Sequence, residues 1–175
     1  NNIISYDYPT ELNGLPEKYI VIHPFGSTKR QWWPLKYVYS LADNIYSVYG
    51  VKSILIGGSD TRICDTANDN IIDLRGRSNI QQLKNLLVRS AAVISTDSGP
   101  MHLSAALGVP VIGLFRSVRP ELSAIYDNLR PLFGVNEICQ LSCRWDKCRL
   151  EKCAEMDSIS VKEIMIKLTP VIEKN

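Results

Sequence analysis

TDSGPMHLSAALGVPVIGLF, Thr96–Phe115, holds a strand end, a turn, a helix and a second strand in immediate succession. AVIST (Ala92–Thr96) reads as a short buried strand that stops at Thr96. Asp97-Ser98-Gly99-Pro100 then turns the chain directly into a short helix, SGPMHLSAALG, and VPVIGLF (Val109–Phe115) is again a strand. A helix entered this way leaves backbone N–H groups and the positive end of its dipole facing the end of the sheet. Gly99 puts no side chain in front of those amides, and His102 follows within the first turn, in reach of a phosphate oxygen. The plainer reading of the same letters is that Asp97 or Ser98 caps the helix and His102 is a surface histidine.

The same alternation runs outward in both directions. YIVIHPFG, from Tyr19, is a β-branched run ending in Pro and Gly, a strand entering a loop. Pro34 as first helical residue and Gly50 just past the end bracket a helix with Leu35, Val38, Leu41, Ala42, Ile45 and Val48 at helical spacing. VKSILIGG (Val51–Gly58) is a second strand, a weaker helix follows around Thr61–Asn68, and IIDLRG (Ile71–Gly76) is a third strand. Ser78 and Gln81 fit a capping box for a helix carrying Ile80, Leu83, Leu86 and Leu87. Near the end, Ser160 and Glu163 cap a helix over about residues 160–173 with Val161, Ile164, Met165, Leu168 and Ile172 on one face. Apolar strands alternating with helices predict an α/β, doubly wound parallel sheet. Ligands of such sheets bind outside the carboxyl ends of the strands, where all the candidate motifs fall.

A length of 175 residues suits one domain. Residues 1–18, broken by Pro9, Gly14 and Pro16, read as a linker or entry arm, and residues 19–175 as the domain, including a cysteine segment at 139–153. Twenty Lys and Arg against 18 acids leave a net charge of +2, which speaks against a nucleic-acid surface. The longest uncharged apolar runs are far too short to span a bilayer. The first residues have neither a basic nor an apolar leader pattern, so a cytoplasmic protein is expected. Five cysteines and no secretion signal argue against a disulfide framework.

Thr96–Phe115 resembles the signature of glycosyltransferase family 9, the heptosyltransferase-like enzymes, approximately D-[ST]-G-x-x-H-x-x-A-A-x-x-x-P. Asp97, Ser98, Gly99, His102, Ala105, Ala106 and Pro110 fit it. IHPFGSTKRQWWP resembles the family's H-P-G-x-S…K-R-W-P loop, and LIGG and LRGRSNIQQLKNLLVRSAAVIST follow in the family's order, so the likeness covers nearly all of Tyr19 to Lys174. It implies the C-terminal, Rossmann-like half of a GT-B glycosyltransferase. That half binds the nucleotide-sugar donor, commonly ADP-heptose. The N-terminal half binds a lipopolysaccharide or related glycan acceptor and supplies the catalytic carboxylate, so no catalytic residue is expected in this chain. Peripheral association with the inner face of the inner membrane goes with such an acceptor.

What the resemblance implies for individual residues follows from the donor's diphosphate. Without a D-x-D-type metal site or another cofactor, its growing negative charge needs amides, hydroxyls and cations. Asp97, Ser98, Gly99 and His102 form the first such set, and Ser27, Thr28, Lys29 and Arg30 the second. The family places a basic residue two positions before W-P, where this chain has Gln31. Asp60 stands where an acidic residue reaches the nucleoside ribose, and Arg77 near the position whose backbone approaches the base. Arg116 and Arg119 add positive charge after the fifth strand, or are surface charges. Two rival functions stay open. One is a nucleotide-sugar-binding module that performs no transfer, as the Gln31 departure allows. The other is a thiol-based metal module on a Rossmann scaffold, because Cys139, Cys143, Cys148 and Cys153 are spaced C-x3-C-x4-C-x4-C. Structural zinc sites usually use tighter C-x2-C knuckles, which favours reduced structural thiols.

Overall fold

The computed structural model describes residues 14–61, 68–116, 126–135 and 152–174. Six strands form one parallel sheet: β1 (Tyr19–His23), β2 (Lys52–Leu55), β3 (Ile71–Asp73), β4 (Ala92–Thr96), β5 (Val111–Phe115) and β6 (Leu129–Phe133). Their spatial order is β3-β2-β1-β4-β5-β6, and every neighbouring pair is parallel. This is a doubly wound sheet with helices on both faces, the class expected of the sequence.

Alternation along the strands assigns each residue to a face. Ile20, Ile22, Leu55, Ile94, Ile112 and Leu114 look one way. They pack on helix α1 (Leu35–Tyr49), through Val38, Leu41, Ala42 and Ile45, and on a helix near the chain's end. Tyr19, Val21, Ile54, Val93 and Val111 look the other way, onto α2 (Ile80–Val88) and α3 (Gly99–Ala106) through Leu86, Leu87, Met101 and Ala105. Each Leu or Ile so buried contributes about 1.5–3 kcal/mol. Two core layers around one sheet therefore hold the strand ends in register.

Several helix boundaries differ from expectation. Pro34 caps α1 rather than beginning it: its ψ is 131° and its carbonyl accepts from Tyr37 N at 2.9 Å. Gly50 ends α1 at φ 65°, a left-handed conformation that glycine adopts without strain. Val48 is 61% exposed and contributes nothing to the core. The capping box of α2 is Asn79 with Gln82, one residue beyond Ser78 and Gln81. Asn79 Oδ1 accepts from Gln82 N at 3.0 Å, and Asn79 N donates to Gln82 Oε1 at 2.7 Å. Ile80 thus becomes the first helical residue and points outward, 67% exposed. The third strand ends at Asp73, because Leu74 to Gly76 turn back against the β2 loop. Of the helix expected at Thr61–Asn68, residues 62–67 lie outside the described residues, and Ser59–Thr61 is a 3-10 turn.

The last helix, α5 (Val161–Ile172), starts as expected, with Ser160 Oγ accepting from Glu163 N at 3.3 Å and Ser160 N donating to the Glu163 carboxylate at 2.9 Å. The Ser160 hydroxyl, which also donates to that carboxylate at 2.6 Å, and then the Ser160 N–H hold the Glu163 carboxyl below its usual range. Strand β6 and the short helix α4 (Ala154–Ser158) were not expected. No helix among the described residues is long and apolar enough to cross a membrane.

Candidate functional site

The sheet reverses its winding between β1 and β4, adjacent parallel strands that connect outward in opposite directions. Loops leaving their carboxyl ends diverge there and leave a crevice. A cavity of about 490 Å³ occupies it. Of the candidates, Ser27, Asp60, Asp97, Ser98 and Gly99 line it together, joined by Arg116 from the end of β5. Thr96 Oγ1 donates to the Phe25 carbonyl at 2.6 Å, fastening the two diverging loops at their root.

Ser98 is the N-cap of α3, with extended backbone (φ −163°, ψ 169°), yet its hydroxyl makes no bond to the helix. It lies 2.9 Å from the Thr96 carbonyl, 3.1 Å from Ser95 Oγ and 3.1 Å from His23 Nδ1. Pro100 has no N–H, so Gly99 and Met101 carry the first turn's orphan amides, with the positive end of the helix dipole behind them. A Cβ built on Gly99 would meet nothing within 4 Å, so the approach is open. His102 sits farther along the helix, outside the cavity lining, with Nε2 3.2 Å from Asp97 Oδ1. Both side chains of this pair are about half exposed, at 48% and 56%.

His23 at the end of β1 is buried, and burial alone lowers its pKa from 6.5 to about 4. At neutral pH it is an uncharged imidazole beneath the α3 turn, edge-on to Phe25 at 5.8 Å. An uncharged ring can donate from one nitrogen and accept at the other, which suits a hydroxyl network better than an anion.

The loop after β1 closes on Gln31. Its Oε1 accepts from Ser27 Oγ at 2.6 Å and from Thr28 N at 3.2 Å, forming a capping box around the 3-10 turn Lys29–Gln31. Gln31 lines the cavity, whereas Thr28 and Lys29 are exposed outside it; for Arg30 only the backbone is described. Thus the hydroxyl of Ser27 is already spoken for by Gln31. Trp32 Nε1 donates to the Gly26 carbonyl at 3.2 Å, and Trp33 Nε1 to the Ile159 carbonyl at 3.1 Å, tying this loop to the C-terminal segment.

The 3-10 turn Ser59–Thr61, which carries Asp60, is tied to an ion pair whose arginine is buried. Arg75, 1% exposed, grips Asp73 through Nε at 2.9 Å and Nη2 at 2.7 Å, and donates from Nη1 to the Thr61 carbonyl at 2.8 Å. Gly76, at φ 66°, passes so close to Ser59 that a Cβ there would come within 2.8 Å of its Cα. Arg77 is exposed and away from the cavity lining, its N–H bonded to the Leu74 carbonyl at 3.1 Å. Arg119 lies outside the described residues.

Of the four clustered cysteines, Cys139, Cys143 and Cys148 lie outside the described residues. Cys153 is a free, half-buried thiol against the α1-side core. Among the described residues no group of three His, Cys, Asp or Glu side chains comes together to hold a metal. Sequence reasoning missed His23, Ser95 and Gln31 as parts of the site, and Met156 of α4 as part of its wall. Two signals could have flagged His23: its place at a strand end beside the crevice and its match to the H of the H-P-G-x-S loop.

Residues 5–154 match the family model of glycosyltransferase family 9 (heptosyltransferase). Over 142 residues the chain is 28% identical to the lipopolysaccharide core heptosyltransferase OpsX of Haemophilus influenzae, covering 75% of this chain and 40% of that protein. The structure of E. coli ADP-heptose LPS heptosyltransferase II superposes with a TM-score of 0.72 at 18% identity, over 90% of this chain and 47% of that one. The dodecameric iron-containing heptosyltransferase TibC, solved with ADP-D-β-D-heptose, gives 0.65 at 15% identity, over 90% and 47%. The chain thus spans less than half the length of these relatives, and its fold is that of GT-B glycosyltransferases.

Proposed function

Because this chain belongs to glycosyltransferase family 9, the heptosyltransferase family, we propose that it is the donor-binding half of a transferase that takes heptose from ADP-heptose. The acceptor is a lipopolysaccharide or related glycan, reached at the cytoplasmic face of the inner membrane. The observation that carries the proposal is the crevice between β1 and β4. There the start of α3, Ser98 to Pro100, lines a cavity of about 490 Å³, a size suited to a small-molecule ligand.

In this reading the Gly99 and Met101 amides and the α3 dipole hold the diphosphate, with His102 and Arg116 adding donors or charge. Lys29 and Arg30 supply positive potential from the neighbouring loop. Asp97 and Asp60 are acceptors, which suits hydroxyls of the sugar and of the ribose rather than phosphate. In the transfer step the acceptor hydroxyl attacks the anomeric carbon and the carbon–oxygen bond to the diphosphate breaks. ADP leaves with the electron pair, and the acceptor's proton goes to a carboxylate of the partner half. Configuration inverts. This chain's part is to stabilise the charge that grows on the leaving diphosphate.

Gln31 favours a second reading, a nucleotide-sugar-binding module that does not transfer, because it places an amide where a cation would strengthen leaving-group stabilisation. Titration calorimetry with ADP, UDP and GDP addresses the binding common to both. Selective uptake of ADP is expected, and uptake of none of the three sinks the donor reading. Mixing the chain with ADP-heptose, acceptor and a separately produced N-terminal half then separates transferase from module.

A further inference from the structure

We propose that His23, together with Ser95, is a positioning residue that holds the Ser98 hydroxyl off the first turn of α3, so that the Gly99 and Met101 amides stay open for a diphosphate. The ligand in this statement rests on the donor reading above. The hydrogen-bond geometry does not.

A serine at the N-cap ordinarily turns its hydroxyl onto the amide two or three residues on, which satisfies one orphan donor of the helix. This chain does so elsewhere: Asn79 accepts from Gln82 N at 3.0 Å and Ser160 from Glu163 N at 3.3 Å. Ser98 has the backbone of a cap and does not cap. Pro100 removes the second amide of the turn, so Met101 N–H is the donor a capping Ser98 would take.

The diversion has a visible cause. Beneath Ser98 lie the Thr96 carbonyl at 2.9 Å, Ser95 Oγ at 3.1 Å and His23 Nδ1 at 3.1 Å. Ser95 is fully buried, its own hydroxyl donating to the Thr96 carbonyl at 2.9 Å. With the Ser98 proton on that carbonyl, Ser98 Oγ accepts from His23 Nδ1–H, and Ser95 Oγ–H shares its proton between the carbonyl and Ser98 Oγ. His23 and Ser95 are paired residues on β1 and β4, so two core strands set the position of both. Burial keeps the ring uncharged at neutral pH, so it orients the hydroxyl without offering the incoming anion a cation of its own. The helix start therefore gives up its cap, and a ligand oxygen takes the place of the hydroxyl.

Four variants of the 175-residue chain test this: His23→Leu, His23→Asn, Ser98→Ala and the double variant His23→Leu with Ser98→Ala. Amide hydrogen exchange at Met101 reads the cap, and calorimetry with ADP and with inorganic pyrophosphate reads the open amides. In His23→Leu the freed hydroxyl caps the helix, so Met101 exchange slows and both affinities fall, each by about tenfold, the scale of one hydrogen bond to a charged oxygen. Asn, whose amide reaches roughly where Nδ1 lies, stays close to the parent chain in both readouts. Removing Ser98 in the Leu background restores fast exchange and recovers affinity relative to His23→Leu alone, a reversal that a packing role for His23 does not produce.

Slowed exchange with undiminished affinity overturns the proposal, as does lost affinity with unchanged exchange, or a double variant no better than His23→Leu. Should His23→Leu fail to fold, Ser95→Ala loosens the same hold and carries the same two expectations. If the parent chain binds neither probe, the donor reading falls, and the exchange measurements alone still decide whether His23 restrains Ser98.

Discussion

Gly99→Ala separates a residue that matters for the fold from one that matters for a ligand. Gly99 is the first residue of α3, and the added methyl would find nothing within 4 Å. Replacing glycine by alanine at a helical position without strain stabilises by about 0.5–1 kcal/mol, chiefly through the unfolded chain. For a protein of this size, about 1 kcal/mol moves Tm by about 2–4 °C, so a rise of roughly 1–4 °C is expected. The same methyl stands beside the amide on its open side, where the diphosphate would approach. A weakened hydrogen bond to a charged oxygen costs about 1.5–3 kcal/mol, or about ten- to a hundredfold in ADP affinity. Differential scanning calorimetry and titration calorimetry on one preparation give both numbers. ADP affinity unchanged within about twofold would refute the backbone approach, and a lowered Tm would refute the open space.

Stability should fall with acid through His23. The unfolded imidazole takes a proton near pH 6.5 and the buried one only near 4. Stability is thus complete above pH 6.5 and is lost as pH falls towards 4, by about 3 kcal/mol at about 1.4 kcal/mol per pH unit. Urea unfolding at neutral pH and at the acid end measures it, and a loss equally large in His23→Leu contradicts the assignment. Asp73→Asn leaves the Arg75 guanidinium in the interior without its carboxylate and should cost about 3 kcal/mol, more than Arg75→Met, because Arg75 is the more deeply buried partner. Equal losses in the two variants would show that the pair is not what fixes the Asp60 loop. Gln31→Lys frees Ser27 Oγ and adds a cation to the cavity wall, so ADP should bind about tenfold tighter at low salt and lose that gain at high salt. A gain that survives high salt would point to a changed loop shape instead.

The sheet was legible because its central strands are short, apolar and punctuated by Gly and Pro, as in YIVIHPFG and VKSILIGG. Strand β6, LRPLF, carries Arg130 and Pro131 and alternates poorly. Its place at the edge of the sheet explains why Pro131, which cannot donate to a neighbour, is tolerated there. Helix α4 spans five residues, too few to show a period. The α2 cap was misplaced because Ser78 and Asn79 each stand three residues before a Gln, and only the backbone chooses between them.

At the site, the turn after β4 announced itself through one continuous stretch of sequence. The partnership of His23 with Ser98 bridges 75 residues and leaves no local trace. Gln31 was read as a cation lost from the family pattern, whereas its amide is the acceptor that closes the Ser27 loop. A substitution that removes one interaction can install another, and only the three-dimensional neighbours reveal which.

The cavity's walls come from distant parts of the sequence: Phe25 and Gly26 just after β1, Met156 beyond β6, with the Trp33 indole bonded across to Ile159. A ribosome that has delivered all six strands still carries an unfinished basin. Competence to capture a ligand should therefore switch on only after the sixth strand has been made, when the stretch around Met156 emerges and docks against the tryptophan. A protease cut just ahead of that stretch would return the folded sheet to the same half-built condition.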